Sequence, residues 1–301
     1  MTQNIGLIGT GNAGYCYLKN LVKAGKTVHA YDATPERLAL AEKAGAQIAD
    51  SPAKIAAVAN VVILSLPNPK AVRAVLLGED GLLAHLPKDG LVIDISTIDR
   101  ATATEVDEAA RARGVQYLEA PMSGGEPGGA GTFGAEAATI TFLCGGEQEA
   151  YERAQEIFDI LGSHSFLLGK VGKGNELKLI SNLLAGVYAA VAAEAFVLGK
   201  AAGFTYETMF EVFAHTDAKS FTMLEEFKPH LLEDDYSYGF PVELQHKDHR
   251  LAGEMARELN VPLFFNTISM ELYQTAMAHG LGRESHIAVV KQIAELANVK
   301  L

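Results

Sequence analysis

The sequence is short of cysteine and of positive charge. Its two cysteines, Cys16 and Cys144, are too few for a disulfide framework, so we expect a reducing compartment, namely the cytoplasm. Lysine and arginine number 25 against 37 aspartates and glutamates, and the formal net charge is -12. This balance argues against nucleic acid and anionic membrane as partners. An anionic substrate would have to be held by local positive groups.

Targeting patterns and long uncharged runs are scarce as well. We see no signal-peptide or lipidation pattern before the first strand pattern, which again favours the cytoplasm. The longest apolar stretch, residues 172–203, has no charged side chain between Lys178 and Glu194. That run is shorter than the ~20 residues of a usual membrane span, and Ser181 and Asn182 interrupt it. The stretch is therefore predicted to be a long buried helix rather than a membrane helix.

The two halves of the 301-residue chain have different patterns, which predicts two domains. Short apolar runs alternate with helical patterns up to residue 169, as in a Rossmann-type, doubly wound parallel sheet. The predicted strands are 4–9, 27–32, 60–66, 91–95, 115–119, 138–144 and 164–168. Only helical patterns follow, so residues 170–301 are expected to form an all-helical domain, entered through the long helix.

A glycine-rich turn follows the first predicted strand. Gly9, Gly11 and Gly14 lie between that strand and a helical pattern, and Asp32 ends the next strand. This context predicts a dinucleotide site, because glycines allow a pyrophosphate to approach the helix N-terminus. Asp32 can accept hydrogen bonds from both adenosine ribose hydroxyls and would repel a 2′-phosphate. Since Ala33 and Thr34 follow instead of an arginine, NAD is predicted rather than NADP.

Two later segments fall where ligands bind in such sheets, beyond the carboxyl ends of the strands. Pro67 and Thr97 follow predicted strands and could contact a cofactor, or could simply break a loop and begin a helix. The segment 120–134 is rich in glycine, and much of it is predicted to be a flexible loop. For Ser123, Gly124 and Gly125 we favour an anion site, because free backbone N–H groups and a hydroxyl can hold a carboxylate.

Lys178 stands out near the start of the long apolar helix. Asn182 lies four residues further on, so the two side chains share one face. The lysine either extends to solvent or lies desolvated in a cleft, where a lowered pKa would let it exchange protons near neutral pH. No metal site is expected, since His246 and His249 have no obvious third ligand. The remaining histidines His215, His230, His279 and His286 are predicted to be at the surface.

Six motifs in order resemble the β-hydroxyacid dehydrogenase family, which includes 3-hydroxyisobutyrate dehydrogenases and tartronate semialdehyde reductases. The motifs are GTGNAG at 9–14, SLPN at 65–68, IDIST at 93–97, APMSGG at 120–125, GNELKLISN at 174–182 and QHKD at 245–248. The resemblance covers essentially the whole chain. It implies an NAD-dependent oxidoreductase that interconverts a small 3-hydroxy acid and its semialdehyde, and a homodimer or homotetramer packed through the helical domain.

The same resemblance assigns roles to individual residues. Lys178 would be the catalytic residue, and the substrate carboxylate and its neighbours would be held by Ser123, Gly124, Gly125 and Asn182. The cofactor would be bound by Gly9, Gly11, Asn12, Ala13, Gly14, Asp32, Leu66, Pro67 and Thr97, with Lys247 reaching over it from the helical domain.

The chain departs from the family pattern beside the presumed substrate. Residues 126–133 separate the SGG motif from Gly134 and Ala135, where relatives usually have about two residues, which puts the size and identity of the substrate in doubt. Four alternatives stay open at this point. They are a tartronate semialdehyde reductase, an enzyme related to imine reductases, an enzyme that oxidatively decarboxylates a phosphorylated sugar acid, and a non-catalytic NAD-binding module.

Overall fold

We analysed a computed structural model of the chain, which describes residues 4–124, 132–237 and 239–301. Within these residues the first part forms a six-stranded sheet in the order β3-β2-β1-β4-β5-β6, with parallel pairing throughout. The strands are β1 Asn4–Ile8, β2 Thr27–Tyr31, β3 Gln47–Ile48, β4 Val61–Leu64, β5 Leu91–Asp94 and β6 Gln116–Glu119. This order, with its reversal beside β1, confirms the predicted Rossmann-type sheet.

Helices cover both faces of this sheet. They are α1 Asn12–Lys23, α2 Pro35–Lys43, α3 Pro52–Ala56, α4 Pro69–Leu77, α5 Leu82–His85 and α6 Arg100–Arg111. Strand β4 shows why they are needed, because all four of its residues are buried. Ile63 belongs to one apolar core, whereas Val62 and Leu64 belong to another. Successive side chains point to opposite faces, so each face requires its own helical layer.

A second, smaller sheet was not anticipated. It joins β7 Met122–Ser123, β8 Ile140–Cys144 and β9 Gly162–Leu167, with β7 antiparallel to β8 and β8 parallel to β9. Helices α7 Thr132–Ala137 and α8 Gln148–Leu161 complete this region. The sequence predicted two of these strands, but β7 and β3 have two residues each and leave no periodic signal.

The long predicted helix is α9 Lys173–Ala201, and the chain divides into two compact units within it. Gly134–Lys178 belongs to the first unit, and Leu179–Leu301 belongs to the second. The predicted boundary at residue 169 therefore lies before α9, whereas the division between the two units falls inside α9. In length and composition α9 could cross a membrane, but so could the core helix of a soluble protein.

The second unit is helical, as predicted. After α9 come α10 Tyr206–Phe213, a π-helix Thr222–Phe227, α11 Lys228–Glu233, α12 Val242–Glu258, α13 Phe264–Ala278, a 3-10 turn His286–Ala288 and α14 Val289–Ala297. One face of α9 supplies the core, where Phe196 stacks on Phe227 with ring centroids 5.3 Å apart. Residues 222–227 form a π-helix, a wider turn that hydrophobic spacing alone does not reveal.

Candidate active site

The turn after β1 contains two glycines, Gly9 and Gly14, that no other residue could replace without strain. Gly9 has φ 93°, and a Cβ added to it would collide with the carbonyl of Ser65. A Cβ on Gly14 would collide with the carbonyl of Gly9 in the same way. At Gly11, which caps α1, an added Cβ would meet nothing within 4 Å, and the first turn of α1 has no acidic residue. An open, positively polarised helix N-terminus of this kind fits the diphosphate of a dinucleotide.

Asp32, directly after β2, is held firmly by the same turn. Its Oδ2 accepts hydrogen bonds from Thr10 N at 2.7 Å and Thr10 Oγ1 at 3.2 Å, and its Oδ1 accepts one from Thr34 N at 2.9 Å. Arg37 donates from Nη1 to Asn12 Oδ1 at 3.2 Å. The sequence analysis missed this cation beside the glycine turn, because it looked for arginine only in the positions next to Asp32.

The loops after β4 and β5 are tied to each other. Leu66 N donates to Ser96 Oγ at 2.9 Å, which links the segment of Leu66 and Pro67 to the segment of Thr97. Beneath them, Asp94 Oδ1 accepts from Ser96 N at 3.0 Å. Burial raises the pKa of Asp94 to about 6, although its hydrogen bonds lower it. Both loops lie beyond the carboxyl ends of their strands, where this fold binds ligands.

Lys178 and Ser123 are brought together, although 55 residues separate them in the sequence. Lys178 Nζ donates to Ser123 Oγ at 3.2 Å. Only 8% of Lys178 is exposed, so the open alternative of an extended, solvated lysine does not hold in the structure. Gly124 follows with φ 70° and is exposed, whereas Gly125 lies outside the described residues, as does the inserted segment up to residue 131. A buried ammonium beside a hydroxyl can hold an anion and exchange a proton.

Glu119 ends β6 close to these groups in the sequence and is fully buried. Its carboxylate accepts hydrogen bonds from Gly172 N at 2.7 Å, Gly174 N at 2.8 Å and Asn175 Nδ2 at 2.7 Å. Burial raises the pKa of Glu119 to about 7, and the hydrogen bonds offset this only in part. Sequence reasoning passed over both Glu119 and Asn175, although Asn175 lies within the GNELK motif.

In the second unit, Asn182 is oriented by helix α12. Its Nδ2 donates to Asp248 Oδ2 at 2.5 Å, and Gln245 Nε2 donates to the Asn182 carbonyl at 2.9 Å. Lys247 Nζ lies 3.2 Å from Asp248 Oδ1, and the Lys247 side chain is 14% exposed. Asp248 is a further polar residue that the sequence analysis left without a role, although the QHKD motif contains it.

Two of the histidine predictions are wrong. His230 and His286 are buried rather than at the surface, because they pack against Tyr236 and Phe240 inside the helical unit. Burial lowers the pKa of His286 to about 3, so this side chain is neutral under ordinary conditions. In the part of the chain that the structure describes, no three histidine, cysteine or carboxylate side chains are grouped as a metal site would require.

Known families match both parts of the chain. Residues 4–169 match the family described as the NAD binding domain of 6-phosphogluconate dehydrogenase. Residues 172–293 match the family described as NAD-binding of NADP-dependent 3-hydroxyisobutyrate dehydrogenase. Together these matches cover most of the sequence, and they point to a nicotinamide dinucleotide without deciding between its two forms.

Individual proteins are similar over nearly the full length. The 2-(hydroxymethyl)glutarate dehydrogenase of Eubacterium barkeri is 33% identical over 297 residues, which is 99% of this chain and 97% of that protein. A 3-hydroxyisobutyrate dehydrogenase of Pseudomonas aeruginosa is 35% identical, covering 86% of this chain and 88% of its own. The structure of Mycobacterium tuberculosis 3-hydroxyisobutyrate dehydrogenase with L-serine has a TM-score of 0.85 at 28% identity, covering 97% of this chain and 99% of that chain.

Proposed function

We infer the chemistry of this chain from its family: it belongs to the β-hydroxyacid dehydrogenases of the 3-hydroxyisobutyrate dehydrogenase type. It is an oxidoreductase that uses a nicotinamide cofactor and acts on CH–OH groups. It interconverts a hydroxy acid and the corresponding carbonyl compound. The substrate, the form of the cofactor and the roles of single residues are what we propose in the following paragraphs.

We propose that the substrate is a small 3-hydroxy acid, oxidised to its semialdehyde. The observation that carries this proposal is the bond of 3.2 Å between Lys178 Nζ and Ser123 Oγ in a nearly buried position. If an acid binds with its carboxylate at Ser123 and its hydroxyl at Lys178, the hydrogen bond between these two side chains is replaced by one hydrogen bond from each of them to the substrate. A 3-hydroxy acid spans two such anchors better than a 2-hydroxy acid, whose oxygen lies one bond closer to the carboxylate. The names 3-hydroxyisobutyrate and L-serine among the relatives describe compounds with this spacing.

Lys178 is the proposed catalytic residue. When bound, the nicotinamide ring accepts or returns the hydride. Lys178 takes the hydroxyl proton as an amine during oxidation, and donates it as an ammonium to the carbonyl oxygen during reduction. Its placement on the rigid helix α9 holds the proton acceptor at one point, which is worth several orders of magnitude in rate when the substrate is also fixed.

The carboxylate anchor would be Ser123 with Gly124 and Gly125, and Asn182 would hold the substrate from the next turn of α9. Gly124 supports this role, because its φ of 70° and its open surroundings leave the backbone accessible. The bond from Asn182 to Asp248 would fix the direction of the Asn182 amide.

We propose NAD as the cofactor. Gly9, Gly11, Asn12, Ala13 and Gly14 would hold the diphosphate, and Asp32 the adenosine ribose. Asp32 supports NAD because its three hydrogen bonds keep the carboxylate in place, where it would repel a 2′-phosphate. The segments of Leu66, Pro67 and Thr97 would contact the nicotinamide half, with Lys247 as a further contact.

The test is a panel of 3-hydroxy acids and semialdehydes with NAD or NADH, followed by the absorbance of NADH. The sharpest comparison is a turned-over 3-hydroxy acid against its own methyl ester. Loss of the carboxylate charge should lower kcat/KM by at least ~10-fold, the scale of one charged hydrogen-bond set. If ester and acid turn over alike, there is no carboxylate anchor at Ser123 and the substrate class must be abandoned. No turnover with any member would favour the non-catalytic alternative.

We further propose a homo-oligomer, a dimer or tetramer, in the cytoplasm. Ile180, Leu184, Tyr188 and Val191 recur along one side of α9, and each is between 45% and 52% exposed. This apolar stripe is the face of α9 opposite to its buried Ala189, Ala193 and Phe196. A contiguous exposed stripe of this kind marks a protein–protein contact, and a second copy of the chain fits what the family resemblance implies.

A further inference from the structure

Glu119 is a carboxylate with no place in the proposed chemistry, yet it is fully buried and closely bonded. Its Oε1 accepts from Gly172 N and Gly174 N at 2.7 and 2.8 Å, and its Oε2 accepts from Asn175 Nδ2 at 2.7 Å. These donors belong to the segment that begins helix α9. A buried charge is costly, so a side chain that serves only to fill space would be apolar here.

Asn175 carries the connection to a third segment. Its Oδ1 accepts a hydrogen bond from Ile98 N at 2.8 Å, and both residues are fully buried. Ile98 directly follows Thr97. The amide of Asn175 is thus polarised, with its nitrogen toward Glu119 and its oxygen toward the loop after β5. That orientation is dictated by its neighbours, since one of them accepts and the other donates.

We propose that Glu119 and Asn175 act as a positioning pair for the reaction. They fix, relative to one another, the three backbone segments that carry Thr97, Ser123 and Lys178. Glu119 ends the strand four residues before Ser123, and Asn175 lies three residues before Lys178, on the adjoining part of the same helix face. The distance of 3.2 Å between Lys178 Nζ and Ser123 Oγ then depends on this pair. This inference rests on the proposed roles of those three residues.

Because of the donors and acceptors around the pair, even a side chain of the same shape as Glu119 cannot satisfy all the hydrogen bonds. In Glu119→Gln, one carboxylate oxygen becomes an NH2 group. If that group faces Asn175, two NH2 groups meet. If Asn175 turns its amide over, its NH2 group meets the N–H of Ile98. If the introduced glutamine turns instead, its NH2 group meets the N–H groups of Gly172 and Gly174. Every arrangement leaves two donors facing each other in a buried place, so the segments must move apart.

Reversing the pair should restore the pattern. In the double variant Glu119→Gln with Asn175→Asp, the oxygen of the introduced glutamine accepts from the glycine N–H groups, and its NH2 group donates to the introduced aspartate. The second oxygen of that aspartate accepts from Ile98 N. The net charge and the number of hydrogen bonds are the same as in the wild type. The single variant Asn175→Asp, in contrast, places two carboxylates against each other.

The matched control is Glu176→Gln, on the neighbouring residue of the same helix. The carboxylate of Glu176 accepts from Arg100 Nη1 at 3.1 Å and from Lys173 Nζ at 2.6 Å, near the surface. It also links the start of α9 to the segment after β5, but it does not involve Asn175. Glu176→Gln should therefore keep the wild-type kcat within about 3-fold, as expected for exposed ion pairs.

The experiment measures kcat and KM with L-serine and 3-hydroxyisobutyrate, binding of NADH by calorimetry, and amide hydrogen exchange in segments 97–99 and 170–176. Glu119→Gln should lower kcat by about 10- to 100-fold, the cost of a misplaced proton acceptor, while NADH still binds. Exchange in both segments should rise. The double variant should recover kcat to within about 5-fold of the wild type, together with slow exchange.

The positioning pair is refuted if the losses in kcat of the two single variants simply add in the double variant. It is also refuted if Glu119→Gln folds and has the wild-type kcat. Should Glu119→Gln fail to fold, recovery of folding and of kcat together in the double variant supports the pair, and recovery of folding alone refutes its role in the reaction. The proposed function fails separately, if the wild type turns over neither compound or if Lys178→Ala retains kcat. In that case the exchange data still decide whether the pair holds segments 97–99 and 170–176.

Discussion

The cofactor preference depends on the carboxylate of Asp32, and its size can be worked out. Three hydrogen bonds prevent this half-buried side chain from swinging away from an incoming 2′-phosphate. At a separation of about 5 Å and an effective dielectric constant of about 40, each pair of unit charges repels by about 1.7 kcal/mol. A phosphate monoester carries about 1.5 to 2 charges near neutral pH, so the penalty is about 3 kcal/mol. NAD should therefore exceed NADP in kcat/KM by about 100-fold.

Arg37 is the cation that could oppose this preference. Its guanidinium is bonded to Asn12 at the glycine turn, on the side where the diphosphate would lie. Because its hydrogen bond to Asn12 is exposed to solvent, salt would screen much of its attraction to a 2′-phosphate. Arg37→Ala should therefore widen the NAD preference by less than about 3-fold. Lys43→Ala, which removes an exposed charge in the last turn of the same helix, is the control.

The assay is kcat/KM for NAD and NADP at fixed saturating substrate, in the wild type, Asp32→Ser, Arg37→Ala and Lys43→Ala. Asp32→Ser should narrow the ratio from both sides, because it loses the ribose hydrogen bonds of NAD and admits NADP. Equal values for the two cofactors in the wild type, or a preference for NADP, would refute the reasoning. A change of more than 10-fold in Arg37→Ala would show that the arginine reaches the phosphate.

Three further outcomes are expected. Lys178→Ala should lower kcat by about two to four orders of magnitude, while calorimetry should show that NADH still binds. Lys178→Arg should not restore kcat, because a guanidinium does not release its proton. A Lys178→Ala variant that keeps most of its kcat would disprove the assignment. Burial raises the pKa of Glu119 to about 7 and that of Asp94 to about 6, above the ordinary unfolded values near 4, so the folded chain binds these protons more tightly. These two carboxyls should lose stability as pH rises from about 4 to 7, whereas buried His286, with its lowered pKa, gains stability over part of the same interval. The measurable quantity is therefore a difference: in urea titrations, Asp94→Asn should make the slope of the free energy of unfolding against pH more positive than in the wild type between about pH 4 and 6, and an unchanged slope contradicts the burial argument. Leu184→Glu on the α9 stripe should raise the dissociation constant of the oligomer by at least ~100-fold in sedimentation analysis, because the substitution buries an unpaired charge in the contact. The control Glu295→Gln, at an exposed position, should leave the dissociation constant unchanged. If Leu184→Glu also leaves the dissociation constant unchanged, the contact lies elsewhere.

Local patterns were sufficient for five of the six strands of the main sheet and for the glycine turn. Strand β4 is apolar at every position because both faces are covered, and the glycines need conformations or approaches that other residues do not allow. Sequence reasoning could therefore place Gly9 and Asp32 at the carboxyl ends of neighbouring strands from the spacing of the residues alone.

The groups that escaped prediction are those whose role depends on distant partners. Glu119 ends a strand like any other residue, and only the structure shows that it accepts from residues 53 to 56 positions later. His286 looks like a surface residue in sequence, and its burial follows from packing of several helices around it. Lys178 is a similar case, because only the residues that the fold places beside it decide whether this side chain extends to solvent or lies desolvated in a cleft.

Ser123 is attached to a different sheet from the one that carries the glycine turn. Its strand β7 pairs with β8, and the inserted residues 126–133 follow soon after it in the sequence. Lengthening this connection therefore alters no register among the six parallel strands. If Ser123 anchors the substrate as proposed, a change in this single connection would alter the molecule that is oxidised and leave the dinucleotide site as it is. A family that shares one cofactor site and acts on several hydroxy acids is the expected product of such an arrangement.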